Sequence, residues 1–424
     1  MIIKNSRKLG NTDLRCDALR IAEAGYEALE LKKLFQNDCI GYENTVCFRD
    51  NEFDLTHYKK IYIVGMGKGS ASATQQLLTI LPKRKVKGGV VIDITKKRLG
   101  KIKSYIGTHP LPSEKNILAT SKAIEVLKQT TKDDLVITII CGGGSSLFCQ
   151  PGKNTTCLDL QIVGDHLLKS GAKIQEMNTV RKHLSYIHGG NLAKYAYPAT
   201  IVSLIISDVP GNDLEMIASG PTVMDTTSVH DAQKIATQYD LGNLNFVETP
   251  KDLKYFTKVH NIVLASGWTA IAAMREKAIE LGYKPVVYSK ALTGYASKVG
   301  PNLARAIKPG EALLACGETQ VNVTHPGKGG RNQDVALSAL PHLPKGSVII
   351  SAASDGKDNI PVAGAITDSA YTGHEIKQQH VDPTEAVALN QSYTTLEKVR
   401  GIFTIKRHIT ANVSDFIVLL SRKP

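Results

Sequence analysis

Short runs of β-branched and aliphatic residues recur along the chain, separated by longer stretches in which apolar positions return every three or four residues. The first pattern predicts strands at 60–64, 89–94, 134–140, 200–206, 261–265, 284–288, 312–315, 347–351 and 415–420. The second predicts helices at 70–81, 113–129, 158–171, 231–239, 267–281, 295–307, 331–340 and 382–399. Strand and helix alternate, which is the order of βαβ units around a mainly parallel sheet, so the expected fold class is α/β. Several strands, such as Leu135-Val136-Ile137-Thr138-Ile139-Ile140-Cys141, are apolar almost without interruption. That is expected where helices cover both faces of a sheet.

The least structured stretch is 241–258, polar and carrying Asn, Pro, Asp and Lys, and it divides the chain into domains at 1–245 and 255–424. Two domains of that size suit a length of 424 residues. No apolar run approaches the ~18 to 20 residues that a membrane span requires, so no membrane association is expected.

Charge changes the picture more than composition does. The chain holds 52 Lys+Arg against 39 Asp+Glu, a net charge of +13. A balance this basic favours an anionic partner, whether nucleic acid, an acidic membrane or a small polyanion. The basic stretch Lys83-Arg84-Lys85-Val86-Lys87 lacks interleaved aromatics and any helix-turn-helix or zinc-finger spacing. A solvated turn beside a strand explains it more simply, and no nucleic acid is expected. The seven cysteines form no Cys-x-x-Cys pair, and the polar start Met1-Ile2-Ile3-Lys4-Asn5-Ser6 is no secretory signal. A reducing cytoplasm is the expected location.

In an open α/β sheet, ligands bind at the carboxyl ends of strands, and glycine-rich loops follow several of the predicted strands. Gly65-Met66-Gly67-Lys68-Gly69-Ser70 opens a helix. Its glycines let the backbone approach an anion, the helix start supplies N–H donors, and Lys68 adds a full positive charge. The same loop also reads as a dinucleotide fingerprint with Asp93 as its ribose acid, though Ser70 stands at the third glycine, or as a plain tight turn. In Cys141-Gly142-Gly143-Gly144-Ser145-Ser146, three glycines and two hydroxyls suit a nest of backbone N–H groups for phosphate. Ser207-Asp208-Val209-Pro210-Gly211-Asn212-Asp213 places two carboxylates after a strand, fit for a divalent cation, for a hydroxyl proton, or for Asx-turns.

The second half repeats the theme. Glu318 follows Gly317, Arg331 opens a helix after Gly329-Gly330, and Asp355 ends a strand like a second metal or base position. An Arg at a helix start opposes the dipole and so wants an anionic partner. Asn178, Arg181 and Ser185 share one helix face at i, i+3, i+7, a face suited to lining a cleft or to plain solvation. No Ser-His-Asp order, Gly-x-Ser-x-Gly elbow or Walker loop is present.

Taken in order, these segments resemble the class II glycerate kinases, whose C-terminal region is the MOFRL domain. The matches are Gly65–Gly69, Gly107-Thr108-His109-Pro110-Leu111-Pro112, Gly142–Ser146, Met177–Ser185, Ser207–Asp213 with Ala218-Ser219-Gly220-Pro221-Thr222, Gly329-Gly330-Arg331-Asn332-Gln333-Asp334 and Ser354-Asp355-Gly356. The resemblance spans about residues 20–420. It implies a Rossmann-like, doubly wound N-terminal domain, a smaller α/β C-terminal domain and a cleft between them. It also implies ATP-dependent phosphorylation of D-glycerate, usually at the 2-hydroxyl, with Mg²⁺ or a similar divalent ion. Lys68 and Arg331 match the family's proposed active-site lysine and arginine. Two departures stand out: Asn212 replaces a frequent acid, and the loop after Gly356 reads Lys357-Asp358-Asn359-Ile360, so a different loop shape is expected.

On this reading Lys68, Arg331 and Asp208 are catalytic, and Lys68, Asn178, Arg181 and Arg331 hold glycerate. Gly142, Gly143, Gly144, Ser145, Ser146, Glu318 and Asn332 hold the nucleotide, and Asp208 and Asp355 are candidate metal ligands. Three alternatives stay open: phosphorylation at the 3-hydroxyl, an NAD(P)-dependent hydroxypyruvate reductase, and a non-catalytic sensor of small phosphorylated acids. Oligomeric state, including a homodimer, also stays open.

Overall fold

The computed structural model describes residues 1–406 and 410–422, and they divide into two compact units, Leu34–Leu264 and Met1–Lys33 with Ala265–Pro424.

The first unit begins with a small antiparallel sheet of β1 (Cys39–Tyr42), β2 (Thr45–Phe48) and β3 (Asn51–Asp54). Its main sheet has six strands: β4 (Lys60–Met66), β5 (Val86–Asp93), β6 (Ile102–Ile106), β7 (Asp134–Ile140), β8 (Thr200–Ile206) and β9 (Val259–Ala265). Their order across the sheet is β6-β5-β4-β7-β8-β9, with parallel pairing from β6 through β8. Numbered from the first strand of the sheet, that is the 3-2-1-4-5-6 order of a doubly wound fold, and its direction of winding reverses between β4 and β7. Every residue of β7 and β8 is buried, which is why both read as nearly continuous apolar runs. Helix Glu114–Leu127 lays Ala119, Ala123, Ile124 and Leu127 into the same core as Val64, Val90 and Val136.

The second unit is built on β10 (Lys284–Leu292), β11 (Glu311–Gly317), β12 (Ser347–Ala353), β13 (Gly364–Asp368), β14 (Ile402–Phe403) and β15 (Asp415–Ser421). Their order is β10-β11-β15-β12-β13-β14, parallel only between β10 and β11. Helices Ala296–Ala306 and Arg331–Ala339 approach closely at Gly300, where a Cβ would lie 2.4 Å from the Val335 carbonyl oxygen.

The nine strands expected from the pattern are all present. β1–β3, β6, β13 and β14 were not expected, and the helix expected at 382–399 is two helices, Pro383–Ala388 and Ser392–Lys398. The division of the chain also departs from 1–245 and 255–424, because Met1–Lys33 belongs with the C-terminal half. Helix Asp13–Ala28 buries Ala18, Leu19, Ile21, Ala22 and Tyr26, and the Tyr26 hydroxyl donates to the Ala353 carbonyl at 2.9 Å. Arg15 Nε lies 3.2 Å from Asp368 Oδ2, an ion contact whose angle falls outside that of a hydrogen bond, with both side chains buried. Among the described residues, no helix is long and apolar enough to cross a membrane.

Candidate active site

The reversal between β4 and β7 is where an open α/β sheet has its ligand crevice, and the two glycine loops of the first unit leave the sheet there. They touch: the Lys68 N–H donates to the Gly142 carbonyl at 2.9 Å, and a Cβ on Gly67 would lie 2.3 Å from the Cys141 carbonyl oxygen. Gly143 has φ +76°, and a Cβ there would stand 2.7 Å from the His109 ring and 3.5 Å from Lys68 Cε. Lys68 and His109 therefore converge on Gly143. Gly143 opens the short helix Gly144–Leu147, so the N–H groups of this turn face its start.

The loop carrying His109 is fixed to this turn by buried Asn116. Its amide donates to the carbonyls of Thr108 at 2.9 Å and Ser146 at 2.8 Å, and its oxygen accepts from the Thr108 N–H at 2.8 Å. A polar chain continues from Ser145. Its Oγ meets Ser219 Oγ at 2.9 Å, Ser219 donates to Asn178 Oδ1 at 2.7 Å, and Arg181 Nη1 donates to the same oxygen at 3.2 Å. Arg181 has no carboxylate partner among the described residues, and burial pushes its pKa down. The neighbouring His188 is also buried, and burial followed by the Arg181 charge pushes it down to about 3, so it stays neutral. Asp208 is near enough to Cys141 to act on its thiol, which burial pushes well up. The first unit thus gathers Lys68, Gly142–Ser146, Asn178, Arg181 and Asp208. Ser185 is not on their helix, which ends at His183.

Asp93 has a different role from the ribose acid considered above. It is fully buried and accepts from the N–H groups of Gly69 at 3.1 Å and Ala71 at 3.0 Å, at the start of helix Ser70–Ile80. Burial pushes its pKa up, and these N–H groups pull the other way. The helix start that would hold a pyrophosphate already holds a carboxylate. Asn212 sits at φ +57°, a conformation that Asn tolerates better than most residues, and the Asp213 carboxylate caps the Glu215 N–H at 3.0 Å.

In the second unit, Arg331 grips Asp415 with Nε at 2.5 Å and Nη2 at 3.1 Å, while Nη1 donates to Glu318. Burial pushes Asp415 up to about 7 against the pull of Arg331. Asn332 is committed to the interior: it accepts from Ser351 Oγ at 2.6 Å and donates to Asp358 at 3.3 Å. Asp358 caps this helix much as Asp93 caps the other, taking the N–H groups of Asn332 at 3.1 Å and Gln333 at 3.0 Å. Of the two residues expected to meet a nucleotide, Glu318 is exposed and accepts from Arg331, and Asn332 is buried against Ser351 and Asp358. Asp355 accepts from the Lys357 N–H at 2.9 Å as an Asx-turn. Among the described residues no group of three or more His, Cys, Asp or Glu is placed to hold a metal.

Sequence reasoning gave no role to His109, Asn116, Ser219, Asp358 or Asp415. His109 and Ser219 lie inside quoted motifs, which was an available signal. Asp415 is 84 residues from Arg331, and no local pattern links the two.

A Rossmann-type sheet with a glycine turn, a lysine and a half-buried arginine near its switch point is the layout of an α/β protein with a small-molecule crevice. Residues 17–249 match the family described as Domain of unknown function (DUF4147), and 311–415 match the MOFRL family. A glycerate 2-kinase of Pyrococcus horikoshii is 33% identical, covering 92% of this chain and 93% of that one. A putative hydroxypyruvate reductase of Agrobacterium vitis is also 33% identical, covering 84% and 86%. The solved glycerate kinase of Thermotoga maritima superposes with a TM-score of 0.83 at 30% identity, covering 96% of this chain and 98% of that one. The chain belongs to the class II glycerate kinase family, in which a DUF4147 domain is joined to a MOFRL domain.

Proposed function

We propose that the protein transfers a phosphoryl group from ATP to the 2-hydroxyl of D-glycerate, yielding 2-phosphoglycerate and ADP. The observation that carries this reading is the convergence of Lys68 and His109 on Gly143, in a glycine turn at the switch point of the sheet. Phosphoryl transfer asks for positioning and charge neutralisation more than for covalent chemistry. The Gly142–Ser146 turn cradles phosphate oxygens, and Lys68 offsets their charge. Arg181 takes the glycerate carboxylate, oriented by Asn178, and Asp208 accepts the proton of the attacking hydroxyl.

Arg331 is assigned to the transferring phosphoryl group. Asp415 orients its fork, and Nη1 rests on the exposed Glu318. A divalent ion arriving with ATP supplies charge neutralisation and needs only one or two protein carboxylates, for which Asp208 and Asp355 are the candidates. The seven free thiols suit a reducing cytoplasm.

The hydride-transfer reading is disfavoured by Asp93, because the N–H groups a dinucleotide pyrophosphate needs are already occupied. Incubation with ATP, Mg²⁺ and D-glycerate, followed by enolase alone, tests the proposal. Enolase signal without added mutase is expected. A signal that requires mutase overturns the 2-hydroxyl, and nicotinamide oxidation with hydroxypyruvate in place of ADP release overturns the kinase. Lys68→Ala should lower turnover ~10²- to 10³-fold, and near-normal turnover would remove Lys68 from the mechanism.

A further inference from the structure

An open groove of about 480 Å³ lies in the second unit where the outer faces of helices Ala296–Ala306 and Arg331–Ala339 meet the segment 320–324 and the helix Pro383–Ala388. That volume is within the range of small-molecule sites. The wall is built and pinned. Asn390 Oδ1 accepts from the N–H groups of Thr324 and His325 at 3.0 Å each, and its amide donates to the Asn322 carbonyl at 3.2 Å.

The two ends of the groove differ in chemistry. At one end is Asp334, 3% exposed, whose Oδ1 accepts from Ser392 Oγ and whose Oδ2 has no partner among the described residues. Burial pushes this carboxyl up to about 7. At the other end Arg305 Nη2 and His342 Nδ1 stand 3.2 Å apart, and Lys298 also lines the groove. None of these three basic groups has a carboxylate within ion-pair distance among the described residues. Asp334 lies in helix Arg331–Ala339 and His342 ends the 3-10 turn Leu340–His342 that follows, roughly 13 Å along the chain axis at the rises of the two helix types. Pro301 and Val387 supply apolar wall between them.

We propose that this groove is a ligand site for a nucleoside monophosphate, with an exocyclic amine donating to Asp334 and the phosphate held by Arg305, His342 and Lys298. The span from the amine to the phosphate of AMP is of the same order as the distance between the two ends. An Arg fork suits phosphate oxygens, and above about pH 7, where the Asp334 carboxyl is ionised, its remaining oxygen suits an amine donor, so binding is measured at pH 8. Its lining residues are not those assigned to phosphoryl transfer, although Asp334 shares a helix with Arg331, and the proposal does not depend on the kinase reading.

Titration calorimetry on the full chain with AMP, inosine monophosphate and ribose 5-phosphate tests it. AMP should bind at least tenfold more tightly than either of the others, because one lacks the amine and the other lacks the base. Arg305→Ala and Lys298→Ala should each weaken AMP about tenfold or more, since a charged hydrogen bond to phosphate is lost. Both variants should keep the wild-type melting temperature, the wild-type rate with ATP and glycerate, and an unchanged KM for ATP. Three outcomes overturn the proposal: no AMP binding at millimolar concentration, AMP affinity unaltered in Arg305→Ala, or ribose 5-phosphate binding as tightly as AMP. Loss of kinase activity in the wild type with AMP binding intact would refute the kinase reading alone.

Discussion

Replacing Gly143 with Ala isolates the cradle from the fold around it. At φ +76° an Ala pays a backbone penalty of ~1–2 kcal/mol. For a domain of this size, that corresponds to a melting temperature lower by ~2–8 °C. The new Cβ also meets the His109 ring at 2.7 Å, where carbon contacts ordinarily settle near ~3.5–4.0 Å. Ring or turn must therefore move by ~1 Å, and a displacement of that size at reacting groups costs ~10²-fold in rate. Gly69→Ala is the matched control. Gly69 has φ +89°, so it carries similar strain, but a Cβ there meets nothing within 4 Å. Calorimetric melts should give similar losses for the two variants, while enolase-coupled kcat/KM should fall ~10²-fold only in Gly143→Ala. Equal activity in both variants would refute the argument that His109 and Lys68 act at this turn.

Three further outcomes are expected. Ser219→Ala leaves Asn178 and Ser145 without their shared hydroxyl, at a stability cost of about 1–3 kcal/mol, and should raise the glycerate KM about tenfold; an unchanged KM would detach Arg181 from substrate binding. Asp334, held near 7, keeps its proton in the folded state while the unfolded chain loses one above about 4. Stability should fall as pH rises from about 4 to about 7 and level off beyond, and Asp334→Asn should melt higher than wild type at pH 8 but not at pH 5. Arg15→Ala leaves Asp368 buried without its cation and should cost ~3–5 kcal/mol in urea unfolding; a loss under ~1 kcal/mol would make the N-terminal helix an accessory to its unit.

Elements whose periodicity is set by two-sided burial were legible at once. β7 and β8 are mostly apolar because nothing along them reaches water. β1–β3 escaped notice because short antiparallel strands with partly exposed positions carry little periodic signal. The break near 241–258 looked like a boundary by composition, yet the units part at Leu264 and the first helix crosses to the other unit. An apolar helix face does not record which sheet it will cover. Composition is local, and domain membership is not.

The glycine loops, Lys68, Asn178 and Arg181 were visible because each motif is short and carries its own chemistry. What those motifs could not say is which N–H groups remain free. Asp93 and Asp358 lie 24 and 26 residues from backbone groups they cap, and both remove from use a helix start that the sequence offered to phosphate. Asp415 decides how Arg331 points, and His109 reaches Gly143 only because Asn116 ties its loop to Ser146. The amino-acid sequence determined the elements, the family and the residue types able to meet an anion, since those depend on neighbours along the chain. The tertiary structure alone decided which donors are already spent, because hydrogen bonds between distant segments are settled only when the chain is folded.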